Sequence, residues 1–284
     1  MKIRRIKEKI AYLFLLSVVA LLLFILGFIF YFLFSKGIKI ISWDFLTQMP
    51  KKSMTAGGIF PAILGTFYLT FGAMLFALPL GVSSAIYLSE YVAQNRLVKV
   101  IRLGINNLAG VPSVVFGLFG LVVFVKYLNF GISILSGSLT LAILILPTII
   151  RASEEALLAV PQTFREGSLA LGATKWQTIQ KVILPNAISG ILTGSILSIG
   201  RAAGETAPIL FTAVTFYKMR LPGSIFSEVQ ALPYHIYALL TEGTHPETQV
   251  AIAYGTALVL IGLVLAFNLI AIFLRNKFRR SKKW

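Results

Sequence analysis

Cysteine is absent from this chain, which excludes disulfide bridges and thiolate metal sites. Acidic residues are scarce, with 10 Asp and Glu against 26 Lys and Arg in 284 residues. Charge of either sign makes up only 13% of the chain, where a soluble domain carries about a quarter. The dipeptide Gly-Lys does not occur, so the chain has no GxxxxGK(S/T) loop to cradle a nucleotide phosphate. HExxH, a Cys/His cluster and the GxSxG elbow are missing as well, which leaves no recognisable hydrolytic or metal chemistry. Only two histidines are present, His235 and His245, and both fall in one connecting segment, where they are expected to line a wet loop rather than hold a metal. If such a protein moves a solute uphill, the fuel is burned on another subunit, and no enzyme activity is expected of this one.

What fills the chain instead is apolar sequence. Hydrophobic residues make up 57% of it, and six stretches hold no charge at all: 11–34, 53–89, 103–125, 127–150, 182–200 and 248–274. About 20 apolar residues are needed to cross the hydrocarbon core, and a spanning segment must bond its own backbone. The pattern predicts an all-α polytopic membrane protein with six spans, at about 11–34, 61–89, 105–127, 132–150, 188–215 and 250–274. The first follows "MKIRRIKEKI". Its apolar core is too long for a signal peptide and no small-x-small site follows, so it is expected to stay as an anchor. The expected division is residues 1–34 as a basic N-terminus and first helix, 61–274 as the transmembrane domain, and 275–284 as a basic tail.

The formal charge of +16 could point to nucleic acid, but its distribution points to a bilayer. With the N-terminus inside, segments 1–10, 90–104, 151–187 and 275–284 hold 18 of the 26 Lys and Arg. That asymmetry is the positive-inside bias, and it places both termini in the cytoplasm of a cell-membrane protein. The tail "RNKFRRSKKW" suits anionic headgroups. No nucleic-acid partner is expected.

Of the connecting segments, 151–187 says most. "TFRE" offers a capping box, Thr163 with Glu166, for a short helix that ends at Gly172, a favourable left-handed terminator. "TKWQ" offers a second box, Thr174 with Gln177, and the helix that follows carries Trp176, Ile179, Val182 and Ile183 before Pro185 interrupts it. The product is a helix–turn–helix with an apolar stripe and a basic flank (Arg165, Lys175, Lys181). It can pack on the protein's own helix ends, or present the stripe to a partner's groove; periodicity leaves both open. Glu154 and Glu155 are adjacent, which sends them to different parts of a helix surface. In "NNLAGVPSVVFGLFG", Gly110 and Pro112 disturb the third helix while Gly117 and Gly120 allow close approach of a neighbour.

"IGRAAGETAPIL" places Arg201 and Glu205 four apart in an apolar region, on one face of a helix. Counting from Ile188, Arg201 lies about 20 Å along that helix. An ionised side chain at that depth costs about 2.5–3.5 kcal/mol on insertion scales, so the pair must face protein or water. Thr206 adds a hydroxyl, and Pro208 cannot donate to the carbonyl of Gly204. One reading is an internal ion pair fastening two helices, although Arg before Glu is the weaker orientation. The other is a substrate pathway of Arg201, Glu205 and Thr206. There the planar guanidinium takes an anion with several oxygens, and the glutamate weakens its grip enough for release.

These residues also carry a family likeness. "EGSLALGATKWQTIQKVILP" resembles the EAA-x3-G-x9-I-x-LP loop of ABC importer permeases, with Glu166, Gly172, Leu184 and Pro185 at matching spacing and Gly167–Ser168 replacing the two alanines. "GGIFPAILGTFYLT", "LAGVPSVVFGLFG" and "RAAGETAPILFTA" resemble inorganic phosphate permeases of the PstA type. The resemblance implies the type-1 importer fold. It also implies a sister permease of the PstC type, two ATPase subunits of the PstB type that use ATP and magnesium, and an external phosphate-binding protein. The chain would itself hold no cofactor and no metal. On that likeness Glu166 to Gly172 forms the helix that docks on the ATPase, with Glu166, Gly167, Ser168, Gly172, Leu184 and Pro185 as its coupling loop. Permeases for sulfate, molybdate or phosphonate would share the loop. A secondary transporter working alone and a membrane enzyme acting on headgroups are the alternatives from other classes.

Overall fold

A computed structural model describes residues 2–52, 54–92, 95–216 and 220–280, with side chains for 7–52, 54–92, 95–216 and 220–277. Lys218 and residues 281–284 of the basic tail lie outside the described residues. The chain is a bundle of long helices. Helix α1 (Lys2–Gly37) leads into a short α2 (Trp43–Thr47), whose first turn is capped by the Ser42 hydroxyl accepting from the Phe45 N–H at 3.1 Å. A two-stranded antiparallel hairpin, β1 (Pro50–Lys51) and β2 (Ala56–Gly57), precedes α3 (Phe60–Ile86), which continues through a π-turn at Tyr87–Tyr91. Then come α4 (Arg96–Ala109), α5 (Ser113–Gly120) with a π-turn at Leu121–Tyr127, and α6 (Ile134–Leu158). A hairpin of α7 (Gln162–Ala170) and α8 (Lys175–Thr178) runs through a third π-turn, Ile179–Ile183, into α9 (Leu184–Gly204). Helices α10 (Ala207–Leu210), α11 (Leu232–Thr241) and α12 (Pro246–Arg280) complete the chain.

Five of these helical runs are long and apolar enough to cross a membrane: 7–37, 60–91, 134–158, 175–204 and 246–277. The sixth expected span, 105–127, is not one straight helix. The α4 and α5 axes meet at 99°, because Gly110 closes α4 and Pro112 opens α5, where it has no N–H to continue the ladder. The sequence marks both residues as a disturbance, and the structure makes them a corner.

Lipid gives helices no hydrophobic reason to associate, so they meet where small residues allow close approach. On α3 the buried stripe Gly65, Leu69, Ala73, Ala77, Gly81 and Ala85 repeats every fourth residue; Gly65 meets Val229 and Gln230, and the residues after it lie in the α3–α6 contact. A methyl group added at Gly81 would overlap Ile149, and one at Gly72 would overlap Ser138. The α6–α9 contact is built the same way, Gly190 on Ala156 and Gly194 on Ala152. Helix α1 packs against α12, approaching it closely at Gly37, and otherwise leaves its apolar side chains uncovered.

Two further expectations shift. The span placed at 188–215 begins at Lys175 and ends at Gly204. Pro185 does not interrupt it. The π-turn, in which the Leu184 N–H donates to the carbonyl of Ile179, inserts one residue ahead of the proline and keeps the helix running. At the far end Pro208 takes a first-turn position of α10, where its missing N–H costs nothing, and the helix breaks at Glu205 in front of it. The span placed at 132–150 runs on to Leu158, so much of the segment 151–187 is an extension of the spanning helices rather than a separate loop.

Beyond the opposite end of the bundle from the α7–α8 hairpin, α2, the β-hairpin and α11 fold back over the helix ends. The Leu232 N–H donates to the Thr66 hydroxyl at 2.8 Å. His235 is buried there against Phe216 rather than lining a wet loop, and burial pushes its imidazole down to about 4.

Candidate functional site

Helix α9 delivers Arg201 in its last turn, after Gly200 and ahead of the small residues Ala202, Ala203 and Gly204. Glu205 lies just past the helix end in extended backbone (φ −73°, ψ 132°), not on the helix face that the four-residue spacing predicts. The two side chains meet all the same: Arg201 Nε donates to Glu205 Oε1 at 3.3 Å. Only Nε is engaged. The two Nη groups make no hydrogen bond among the described residues, and the side chain is 37% exposed against 17% for Glu205. Thr206 is half-buried beside them, in the link between α9 and α10.

The depth of the pair follows from packing. Gly190 sits on Ala156 and Gly194 on Ala152, so the antiparallel register carried forward sets Arg201 level with Ile145. That is roughly 16 Å from the start of α6 and roughly 20 Å from its end at 1.5 Å per residue. A broken helix at mid-bundle is tolerated only where it is covered by protein or lines a wet cavity. Part of the break is covered: Gly117 of α5 lies against the Ala207 carbonyl, Pro208 and Phe211. The uncovered part is Gly204, which is exposed, with the partly open side chain of Arg201 beside it.

At the hairpin end, α4 and α6 border an open cavity of about 240 Å³ lined mainly by charged side chains. Arg102 Nη2 lies 2.6 Å from Glu154 Oε1. Arg151 donates to Asn106 Oδ1 at 2.5 Å and reaches Glu155 at 3.5 Å. The adjacent glutamates thus take separate arginines, as their divergence on the helix surface predicts. The Arg151–Glu155 pair could be read from its spacing. The Arg102–Glu154 pair could not, because its partners sit on different helices.

The stripe predicted along the second arm of the hairpin divides in the structure, with Trp176 exposed and Ile179 and Ile183 buried. Ile179 and Ile183 pack inward with Leu157, Val160 and Phe164, while Leu169, Leu171 and Trp176 point outward. Leu171, at the tip, is 91% exposed. Helix α7 starts at Gln162 straight after Pro161, with no side-chain cap, so the Thr163–Glu166 box does not form: both residues already lie inside the helix. The turn ends as a Schellman motif. Gly172, at φ +83°, donates to the Leu169 carbonyl at 2.9 Å, and Ala173 donates to Ser168 at 3.3 Å. The Thr174–Gln177 box is present in both directions. Glu166 and Gly167 lie on the exposed side of α7; the Ser168 hydroxyl bonds that of Thr178 at 2.9 Å and fastens the two arms together. Leu184 and Pro185 are half-buried where the π-turn meets α9. Arg165, read as part of a basic flank, turns inward instead and binds Glu90.

Residues 77–283 match the family described as "Binding-protein-dependent transport system inner membrane component". The chain belongs to that family. As such an inner membrane component it is a multi-pass permease of an ABC importer, and membership implies an ATPase and a binding protein as partners. A probable ABC transporter permease protein, YqgI of Bacillus subtilis, is 36% identical over 94% of this chain and 95% of its own length. The phosphate transport system permease protein PstA 1 of Mycobacterium tuberculosis is 39% identical over 80% of this chain and 73% of its own. Among solved structures, a bacterial ABC transporter involved in the import of the acidic polysaccharide alginate superposes with a TM-score of 0.62 at 16% identity, covering 96% of each chain. That similarity speaks for the type-1 fold alone.

Proposed function

We propose that this permease passes inorganic phosphate across the cell membrane into the cytoplasm. It pairs with a sister permease of the PstC type above two ATPase subunits of the PstB type, and receives its cargo from an external phosphate-binding protein. The hairpin end and both termini face the cytoplasm, following the basic bias of those segments, and the outward face of α7 with Leu171 docks on the ATPase. ATP and magnesium act on that partner and not on this chain. The observation that carries the reading is the mid-bundle guanidinium with two Nη groups unengaged, opening off the edge of a broken helix. Lipid is a poor neighbour for it, and its planar fork matches a tetrahedral oxyanion. Glu205 neutralises Arg201 when no anion is present, so the site is not a trap, and Thr206 adds a hydroxyl beside it. The names of the relatives favour phosphate over other oxyanions.

The test is radiolabelled phosphate uptake into vesicles holding the full importer, with and without ATP. ATP-dependent uptake is expected, uncompeted by sulfate. Charge-assisted hydrogen bonds are worth about 1.5–3 kcal/mol, so Arg201→Ala is expected to slow uptake by roughly 10- to 150-fold. Unchanged flux in Arg201→Ala would refute the pathway role, and competition by sulfate would refute the cargo.

A further inference from the structure

Arg165 is a nearly buried, densely bonded cation, and a docking surface has no need of that. Its side chain is 12% exposed and that of Glu90 is 8%. Nη2 lies 2.8 Å from Glu90 Oε1, and Nε donates to both carboxylate oxygens at 3.3 and 3.4 Å. Nη2 also donates to the Leu157 carbonyl at 2.8 Å, and Nη1 to that of Val160 at 2.5 Å. All three guanidinium nitrogens are therefore used, outside their own helix: on the π-turn that ends α3, on the last turn of α6 at Leu157, and on Val160 in the link that follows α6. A second link runs in parallel, with the Lys175 ammonium 5.2 Å from the centroid of the Tyr91 ring.

Next to Arg165 in sequence, Glu166 lies on the exposed side of α7. One face of the helix is thus open to a partner while the other is clamped to α3 and α6. Those two helices pack along their length through the small-residue stripe, and α6 holds α9, with Arg201, through Gly190 and Gly194. A continuous packed route joins the hairpin to the helix that breaks at Glu205. A buried ion pair is poor evidence of stability, yet losing one partner strands the other charge; such a pair suits fixing an orientation.

We propose that Arg165 and Glu90 form a strut that makes the α7–α8 hairpin move as one body with α3 and α6, so that a displacement imposed on α7 reaches the pathway helices. Arg165 is a positioning residue: it touches neither cargo nor nucleotide. The inference rests on the reading that an ATPase docks on α7, and goes beyond it by naming the residues that transmit the motion.

The test uses the complete importer in vesicles and reads phosphate taken up per ATP hydrolysed. The natural chain supplies the reference: if it shows no ATP-dependent uptake, the functional reading fails and not the strut. With that reference in place, Arg165→Ala and Glu90→Gln are expected to keep hydrolysis within about threefold while uptake falls at least tenfold. The exchanged pair, Glu90→Arg with Arg165→Glu, is expected to regain part of the ratio. Because the chain has no cysteine, spin labels can be attached without background from this chain at Leu80→Cys and at Gln180→Cys, an exposed position on the second arm of the hairpin and off the docking face of α7. Their separation is expected to stay fixed between nucleotide-free and ATP-bound states in the natural chain, and to spread in Arg165→Ala. A natural uptake ratio in Glu90→Gln, which keeps size and removes only charge, would overturn the strut even if Arg165→Ala failed to accumulate. So would a label separation unaffected by Arg165→Ala.

Discussion

Gly172 offers the sharpest separation of backbone conformation from contact. It holds φ at +83°, yet a methyl group built on it would meet nothing within 4 Å. Any cost of substitution is therefore conformational. An L side chain in the left-handed region costs roughly 1–2 kcal/mol, and asparagine escapes most of that. The turn also directs two hydrogen bonds, from Gly172 to Leu169 and from Ala173 to Ser168, so relaxing the angle loses both. A shift of one to two kcal/mol moves a two-state balance by about 5- to 30-fold. The series Gly172→Asn, Gly172→Ala, Gly172→Val is then expected to lower ATP-driven phosphate uptake in that order. Asparagine should stay near the natural rate, alanine lose severalfold, and the β-branched valine lose at least tenfold, while the ATPase keeps hydrolysing. The assay is uptake and hydrolysis in the same vesicles, normalised to permease in the membrane. Equal uptake across the series would refute the claim that the left-handed turn positions the hairpin. A valine protein no worse than the alanine one would refute its conformational origin.

His235 makes a pH prediction. Its folded pKa of about 4 lies below the usual 6.5 because burial disfavours the imidazolium, so the unfolded chain binds the proton first. Stability is at its full value above pH 6.5 and falls progressively between 6.5 and 4, by about 3 kcal/mol at the end of that window; His235→Phe is expected to flatten this slope in detergent melting curves between pH 4 and 8. At the α6–α9 contact, Gly194→Leu would press on Ala152 and is expected to cost roughly 1–3 kcal/mol by overpacking. Gly262→Leu meets open space and should leave the melting temperature unchanged or raise it; a larger drop for Gly262→Leu would contradict the packing described.

The spans were legible because charge is so rare: each charge-free run lies wholly or mostly in helix, and ends were misjudged mainly where helices continue past the apolar stretch, as α6 does to Leu158. Local signals with local causes were also readable, namely the Gly172 terminator, the Thr174–Gln177 box and the corner at Gly110 and Pro112. The encounter of Arg201 with Glu205 was readable too, but its backbone was not. Spacing predicts a helix through both, whereas Pro208, three residues on, favours a fresh helix start. What stayed hidden depends on partners far along the chain. Nothing near Arg165 announces Glu90, 75 residues away, so the arginine reads as part of a basic flank. Thr163 reads as a cap until Pro161 is seen to start the helix two residues earlier. His235 reads as solvated because its neighbours are turn-rich, and only the fold brings Phe216 onto its ring.

The π-turn at Ile179–Ile183 has a consequence for how this sequence can change length. One helical residue corresponds to about 100° of rotation, and the wider turn absorbs the extra residue so that α9 beyond it keeps its phase. Removing a single position there would restore an ordinary helix and leave Arg201 on the face it now presents, whereas removing one from the regular helix between Leu184 and Gly200 would swing it by about 100°. A one-residue change of length is thereby absorbed at the turn Ile179–Ile183 and penalised along the regular part of α9 that carries the guanidinium.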